Sequence, residues 1–474
     1  MHLRWTIFFL TFAGLCRAAS PCDLNGDNQV NVVDVQLGMN QALGGNACGS
    51  ADLDLDGRCD VVDVQLLINA AIGGQCQASQ TPLPISGTAL STYGVKCDGA
   101  TNDRAAIQRA FDDASKWSNK TLVFPSGRTC IVNSTVTLTG SGWTIEGRGA
   151  TIKAANGMSC TSGNGVVHLS SPTNFTINDL DTDGNRANRT VTENFSAHSW
   201  NIRGAQNGTF RNVDWINGCA DNVRLGPADS SDTDKYNKNL TFIDSTFKYA
   251  FRDNVSVITG WNIRFLGTCS GGFSGTCTCQ MIGAHGTNPQ TGIKWEPNNS
   301  NASPAVDEGL VDGCLLAENS GAGWGDSTKS DAQNLTLRNS IVRNNGSSGD
   351  QAAAGVIVSA KGGLFENNWI GKQAGARFGV VYISSGRRSS KRRTEVRNNR
   401  IDGPPPIGEE SGRRLVVWYG NFTDGTAMFH SNTITNGGTG AGGGWCSDAQ
   451  GLHDSSTANN ILNSTLQSPN PGCR

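Results

Sequence analysis

Two stretches of oxygen-bearing side chains have the spacing of a cation site. Asp23-Leu-Asn-Gly-Asp-Asn-Gln-Val-Asn-Val-Val-Asp34 recurs 29 residues later as Asp52-Leu-Asp-Leu-Asp-Gly-Arg-Cys-Asp-Val-Val-Asp63. Asp23, Asn25, Asp27, Asn31 and Asp34 occupy positions 1, 3, 5, 9 and 12 of a twelve-residue loop. Asp52, Asp54, Asp56, Asp60 and Asp63 do the same in the second copy. Such loops suit Ca2+, a hard cation that takes oxygen ligands, with Gln29 and Arg58 at the backbone-ligand position. Asn28 stands where glycine is usual, which asparagine tolerates because it can adopt positive φ.

A second set of reactive side chains lies between residues 198 and 296. Asp221-Asn-Val-Arg-Leu225 and Asp253-Asn-Val-Ser-Val257 recur at an offset of 32 residues, followed by Gly292-Ile-Lys-Trp-Glu296. Strand alternation sends Ile202, Val223, Val255 and Ile293 inward, and Arg203, Arg224, Ser256 and Lys294 outward as one column. Asp221, Asp253 and Glu296 then share a face with a basic ladder. Carboxylates on neighbouring strands about 4.8 Å apart fall in the range of glycosidic acid–base pairs. The basic residues suit an acidic sugar chain. His285, in an irregular insertion, and His198 are further acid–base candidates. Trp200, Trp295 and Trp324 are candidates for stacking on sugar rings, although Trp295 has inward parity.

These residues need a repeating scaffold. Asn207–Leu225 aligns without gaps on Asn239–Val257, and weaker copies begin at Asn334, Leu364, Glu395 and Met428. Each is a short strand, an asparagine turn and another strand, giving about ten stacked coils. Ahead of them, Ala106, Ile107, Ala110, Phe111, Ala114 and Trp117 recur at helical spacing, with Thr101 or Asn102 as cap. Sixty glycines in 474 residues and abundant asparagine favour an all-β body with tight turns.

Each oxygen-rich loop runs into an amphipathic stretch ending in Gly-Gly, and 13 of 23 aligned positions are identical. This duplication resembles a type I dockerin, an attachment module of secreted polysaccharide-degrading enzymes. The resemblance implies a small α-helical module and a cohesin-like partner, met through Val32, Val33, Val61 and Val62. Tyr93–Ala114, followed by Thr121–Arg128 and Cys130–Leu138, resembles the opening of the pectate-lyase superfamily. That resemblance implies a right-handed parallel β-helix whose open end is covered by a short helix. An ordinary polygalacturonase is not expected: where that family carries Asn-Thr-Asp and Asp-Asp, the two segments here have one Asp each, and Gly-His-Gly and Arg-Ile-Lys are lacking.

The expected organisation is a signal peptide at 1–18, a dockerin-like calcium module at 22–76, a linker at 77–88 and a β-helix at 89–474. The basic start, the apolar run Trp5–Leu15 and the small residues after it direct secretion. Fourteen cysteines beyond Cys16 then point to disulfides, including a pinned loop around Cys269, Cys277 and Cys279. A net charge of −2 gives no basis for nucleic-acid or anionic-membrane binding. No further apolar run spans a bilayer. We expect a monomeric extracellular enzyme that hydrolyses O-glycosidic bonds of a pectic or other uronate-containing polysaccharide. The alternatives are a lyase, with Arg224, Lys294 or His285 removing the proton, and a non-catalytic glycan-binding or adhesive solenoid.

Overall fold

The computed structural model describes residues 20–27, 29–43, 50–53, 59, 61–74, 76, 87–117, 119–161, 165–190, 197–297, 304–326, 332–347, 355–358, 362–374, 381–384, 394–402, 416–419, 427–435, 445–447, 461–462 and 465–466. The segment 1–18, most of the linker, Cys48 and the expected ligands Asp54, Asp56, Arg58 and Asp60 lie outside them. The chain divides into two compact units, Met1–Ile85 and Ser86–Arg474.

The first unit has two helices, α1 (Val32–Ala42) and α2 (Val61–Ala71). Asn31 caps α1 by accepting from the Val33 amide, while the Asp34 carboxylate accepts from the Asn31 amide. Gly38 and Leu67 are equivalent positions of the duplication, 29 residues apart. A Cβ on Gly38 would lie 2.2 Å from Leu67 Cδ1, so one copy supplies the space that the other fills. Leu67 is buried with Cys22, Leu53 and Ala70, and a Cys22–Cys76 disulfide joins the segment before α1 to the segment after α2.

The second unit begins with a capping helix, α3 (Arg104–Ala114), which buries Ala106, Ile107, Ala110, Phe111 and Ala114. Trp117 lies past its end and is 63% exposed, so it is no part of the apolar stripe. The cap position is Asp103, one residue beyond the expected Asn102. Its buried carboxylate accepts the Lys96 and Cys97 amides.

Beyond α3 the chain winds into stacked coils. One sheet takes a single strand from each: β1 (Val136–Leu138), β2 (Val167–Ser170), β3 (Trp200–Arg203), β4 (Val223–Gly226), β5 (Val255–Val257), β6 (Ile293–Trp295), β7 (Trp324–Asp326), β8 (Val356–Val358), β9 (Val381–Ser384), β10 (Val416–Tyr419) and β11 (Trp445–Ser447). We call this the face sheet. Its neighbours pair in parallel and in chain order throughout. The remaining sides are closed by a 26-stranded sheet among the described residues. The architecture is a parallel β-helix.

The coil interior is a set of stacks. Phe210, Phe242 and Phe265 lie ring on ring at 4.5 and 4.7 Å, and Trp215 stacks on Phe247 at 4.7 Å. Polar stacks complement them. The Asn222 amide donates to Asn254 Oδ1, Asn254 to Asn319, Asn319 to Asn345, and Asn345 to Gln373 Oε1, at 2.9–3.1 Å. All five side chains are buried. A different set of asparagines, including Asn174, Asn207, Asn239 and Asn262, takes φ of 51–54° at the turns, where β-branched residues would be strained. Disulfides Cys97–Cys130, Cys160–Cys219, Cys269–Cys277 and Cys279–Cys314 tie coils and pin the insertion.

Asn254 sits mid-ladder, accepting from Asn222 and donating to Asn319 and to the Ile282 carbonyl. Asn254→Ala is expected to cost about 2–3 kcal/mol, because it strands buried partners on both sides. A denaturant midpoint equal to wild type would show that the ladder does not hold the coils.

Candidate functional site

The 32-residue offset holds from Gln206 opposite Lys238 to Val223 opposite Val255. At the entry edge of the face sheet it stacks Asp221 beneath Asp253 and Ala220 beneath Arg252. His198 precedes β3 by two residues, so it belongs to the same buried column. Its ring Nδ1 is 3.0 Å from Asp221 Oδ2. Asp221 Oδ1 accepts the Asp253 amide at 3.2 Å, and Asp253 Oδ1 accepts the Thr291 amide at 2.8 Å. His198, Asp221 and Asp253 are all buried.

Arg252 closes this column toward solvent. Its Nε is 2.9 Å from Asp221 Oδ1 and 3.3 Å from Asp253 Oδ2. Its Nη2 donates toward Ser256 Oγ at 3.5 Å and lies 3.6 Å from Glu296 Oε2. Glu296 is the carboxylate of the set with surface to offer, its side chain being 25% exposed. Three carboxylates thus share one guanidinium, with two beneath it and one outside.

Electrostatics separates the two aspartates. Burial pushes the Asp253 carboxyl up, the Asp221 charge adds to this, and Arg252 only partly offsets them, leaving it at about 7. Burial also opposes charge on Asp221, but Arg252 and His198 outweigh it and hold that carboxyl below its usual value. Burial lowers the His198 pKa despite the nearby Asp221. For Arg252 the desolvation cost is exceeded by Asp221, Asp253 and Glu296, so the guanidinium is held firmly cationic. Arg224 is pushed down, first by burial and then by Arg203 and Arg252, with Asp221 opposing.

The outward column differs from the expected one. Trp200 pairs with Val223, so Asn201 stands opposite Arg224, followed by Ser256 and Lys294. Arg203 lies opposite Gly226, two residues out of the expected register, and Ile202 opposite Leu225. A two-residue slip preserves inward and outward parity, so alternation cannot detect it. Arg224 Nη1 donates to Asn201 Oδ1 at 3.3 Å, and Arg203 Nε donates to the Pro227 carbonyl at 3.0 Å. Lys294 is half-buried and runs across Gly325 of the next coil.

Other candidates part company with the centre. His285 is exposed on the 283–287 loop, its Nδ1 2.7 Å from the Gly283 carbonyl, and among the described residues no hydrogen bond or ion pair joins it to the carboxylates. Trp200, Trp295 and Trp324 are fully buried in the core and offer no ring to a sugar. Sequence reasoning missed Arg252 as a site residue. Its one signal is a charge standing where the preceding coil has Ala220.

In the first unit, Asp34 Oδ1 accepts the Leu24 and Asn25 amides, and Asp23 Oδ1 accepts those of Gly26 and Asp27. Asp63 Oδ1 accepts the Leu53 amide at 2.6 Å, in the position equivalent to Asp34. Asp34 and Asp63 are buried. Among the described residues, three ligand atoms within 4.8 Å of one another occur only at Cys97, Asp103 and Cys130, where both sulfurs form a disulfide. Asp23, Asp34 and Asp63 instead accept amides of their own loops. The donor set still fits a divalent cation: residues 20–76 hold eight aspartates and a single cationic side chain, Arg58.

Residues 89–276 match the family model described as "Rhamnogalacturonase A/epimerase, pectate lyase-like". Among solved structures, the A-module of the Azotobacter vinelandii mannuronan C-5 epimerase AlgE6 is 18% identical, with a TM-score of 0.48, 80% of this chain and 99% of that one covered. The tailspike gp49 of Acinetobacter baumannii bacteriophage Fri1, a capsular polysaccharide depolymerase, is 10% identical, with a TM-score of 0.48 and coverages of 84% and 68%. PfbA, a surface adhesin of Streptococcus pneumoniae, is 14% identical, with a TM-score of 0.42 and coverages of 80% and 91%. No curated protein sequence matches the chain. No helix among the described residues is long and apolar enough to cross a membrane.

Asp253 gives a test through stability. Its folded pKa lies above the unfolded value, so its stabilising contribution is complete below about 4 and is lost as pH rises toward about 7. Asp253→Asn keeps the shape and cannot ionise. The melting temperature of this variant relative to wild type should therefore climb from pH 4 to 7 and level off above. A constant difference across that range would mean that Asp253 ionises normally.

Proposed function

We propose that the protein is a secreted polysaccharide-active enzyme that cleaves a uronate-containing glycan laid across the polar end of the face sheet. The observation that carries this reading is the sharing of Arg252 by Asp221, Asp253 and Glu296 beside Arg224 and Lys294. The pectate-lyase-like match of residues 89–276 supports the substrate class, and the disulfides support an extracellular setting.

Hydrolysis is the leading reaction. Asp253 carries a proton near neutral pH while Asp221 stays ionised, the division of labour that acid–base catalysis needs. Asp253 lies under Arg252, so the glycosidic oxygen meets it only once the guanidinium turns outward, toward Glu296 and the uronate carboxylate. Glu296, already at the surface, then serves as base for water or as nucleophile. Arg224 favours a second reading, β-elimination. Its weakened hold on a proton fits a base at the carbon next to the carboxylate, with Arg252 neutralising that carboxylate.

Mass spectrometry of products from a panel of pectic and other uronate polysaccharides separates these. Saturated oligosaccharides, with turnover down roughly 100-fold or more in Asp253→Asn, are the expected result. Unsaturated ends would transfer the chemistry to Arg224. Retained binding without products would make the solenoid an adhesive one.

For the first unit we propose two Ca2+ sites. Asp23, Asn25, Asp27, Gln29, Asn31 and Asp34 would hold one, and Asp52, Asp54, Asp56, Arg58, Asp60 and Asp63 the other, Gln29 and Arg58 through their carbonyls. The ion would bring positive charge to a segment, residues 20–76, that holds eight aspartates and one arginine. Val32 and Val61 are each 76% exposed and Val33 and Val62 each 49%, matched apolar pairs that suit a cohesin-like docking partner. Calorimetric titration of the whole protein with CaCl2 should show two sites, both lost in the Asp34→Asn, Asp63→Asn double variant. An absence of binding heat at millimolar calcium would reject the assignment.

A further inference from the structure

The acid centre accounts for Arg252, and Arg203 and Arg224 both donate to oxygens of the protein. Arg186 is different. It opens a short 3-10 turn, Arg186–Asn188, just before the coil that carries His198, and its own amide donates to the Asn217 carbonyl at 3.3 Å. The guanidinium carbon lies 3.3 Å from the centroid of the Phe251 ring. Among the described residues no hydrogen bond or ion pair engages the guanidinium, and its Nε is buried without a partner.

Phe251 is itself fixed. A Cβ on Gly286 would lie 2.1 Å from its ring, so the 283–287 loop packs directly against it. The His285 amide donates to the Ala250 carbonyl and the Thr287 amide to that of Phe251, both at 2.9 Å. Phe251 is also the chain neighbour of Arg252. The entry rim therefore holds a rigid aromatic platform bearing a cation that has no counter-ion among the described residues, beside the acid centre. Burial pushes the Arg186 pKa down, the expected penalty for taking a charge out of water. An arriving anion removes that penalty, and a planar guanidinium pinned by stacking presents its donors with little further loss of freedom.

We infer that Arg186, stacked on Phe251, is a second anion subsite of the groove and takes a carboxylate of the glycan at the strand-entry rim. The inference rests on the uronate reading above and adds a position to it. The subsite binds and does not react: it selects chains with a second carboxylate within reach of the centre.

The test is calorimetric binding of oligogalacturonates, oligoglucuronates and oligomannuronates, and of their carboxyl-reduced counterparts, to the whole protein. Wild type should prefer a charged probe. Arg186→Gln should weaken that probe about tenfold or more and leave its reduced counterpart unchanged. Arg186→Lys, which keeps the charge without the fork, should fall between, and it provides the reading if the glutamine variant does not fold. Wild-type preference with an unaltered Arg186→Gln affinity would overturn the subsite and spare the proposed function. A wild type indifferent to charge would overturn the uronate reading and the subsite with it.

Discussion

Stacking of parallel coils is the constraint on which the β-helix depends. Each coil sits one strand spacing above the last, so a side chain's nearest neighbours are the equivalent residues of the coils on either side. An apolar position becomes a column of rings, as at Phe210, Phe242 and Phe265. A buried polar position has to find its partner in the same column, which an amide does by donating upward and accepting from below. The run from Asn222 to Gln373 meets that demand with no charge in it.

The acid centre is where the same rule meets ionisable groups. The column beside the ladder carries His198, Asp221 and Asp253, and stacking brings two carboxylates together out of water. Neither can be satisfied by the other, since both only accept when ionised. The fold meets this with backbone amides from Asp253 and Thr291 and with Arg252 folded back over both. The remaining imbalance becomes a pKa difference between neighbours. Catalytic potential and stacking strain therefore have one origin, and the side chain that relieves the strain also covers the site.

Much of this is legible in the sequence, because in a solenoid the repeat itself dictates which residues become neighbours. The gapless offset between Asn207–Leu225 and Asn239–Val257 places Asp221 against Asp253 and Asn222 against Asn254, and both contacts are present. Where the repeat thins, so does the information. Alternation sets Asn201 against Asn222, but the coil entering β3 is two residues different, and parity conceals the slip at Arg203. Strand alternation also says nothing of side chains that leave a turn and fold back, so it gives no sign of Arg252. The tryptophans illustrate the converse: aromatic character is equally good for a groove and for a core, and here all three are core.

The first unit faces the opposite problem from the second. Gly38 against Leu67 shows two copies of one sequence packed by making unlike residues meet at like positions. Asp23, Asp27 and Asp34 recur unchanged as Asp52, Asp56 and Asp63, and residues 20–76 hold a single cationic side chain, Arg58. In the β-helix a buried carboxylate pair is balanced from within by Arg252. In the duplicated loops Asp34 and Asp63 accept backbone amides. The Ca2+ proposed for these loops would bring to the first unit the positive charge that Arg252 brings to the acid centre of the second.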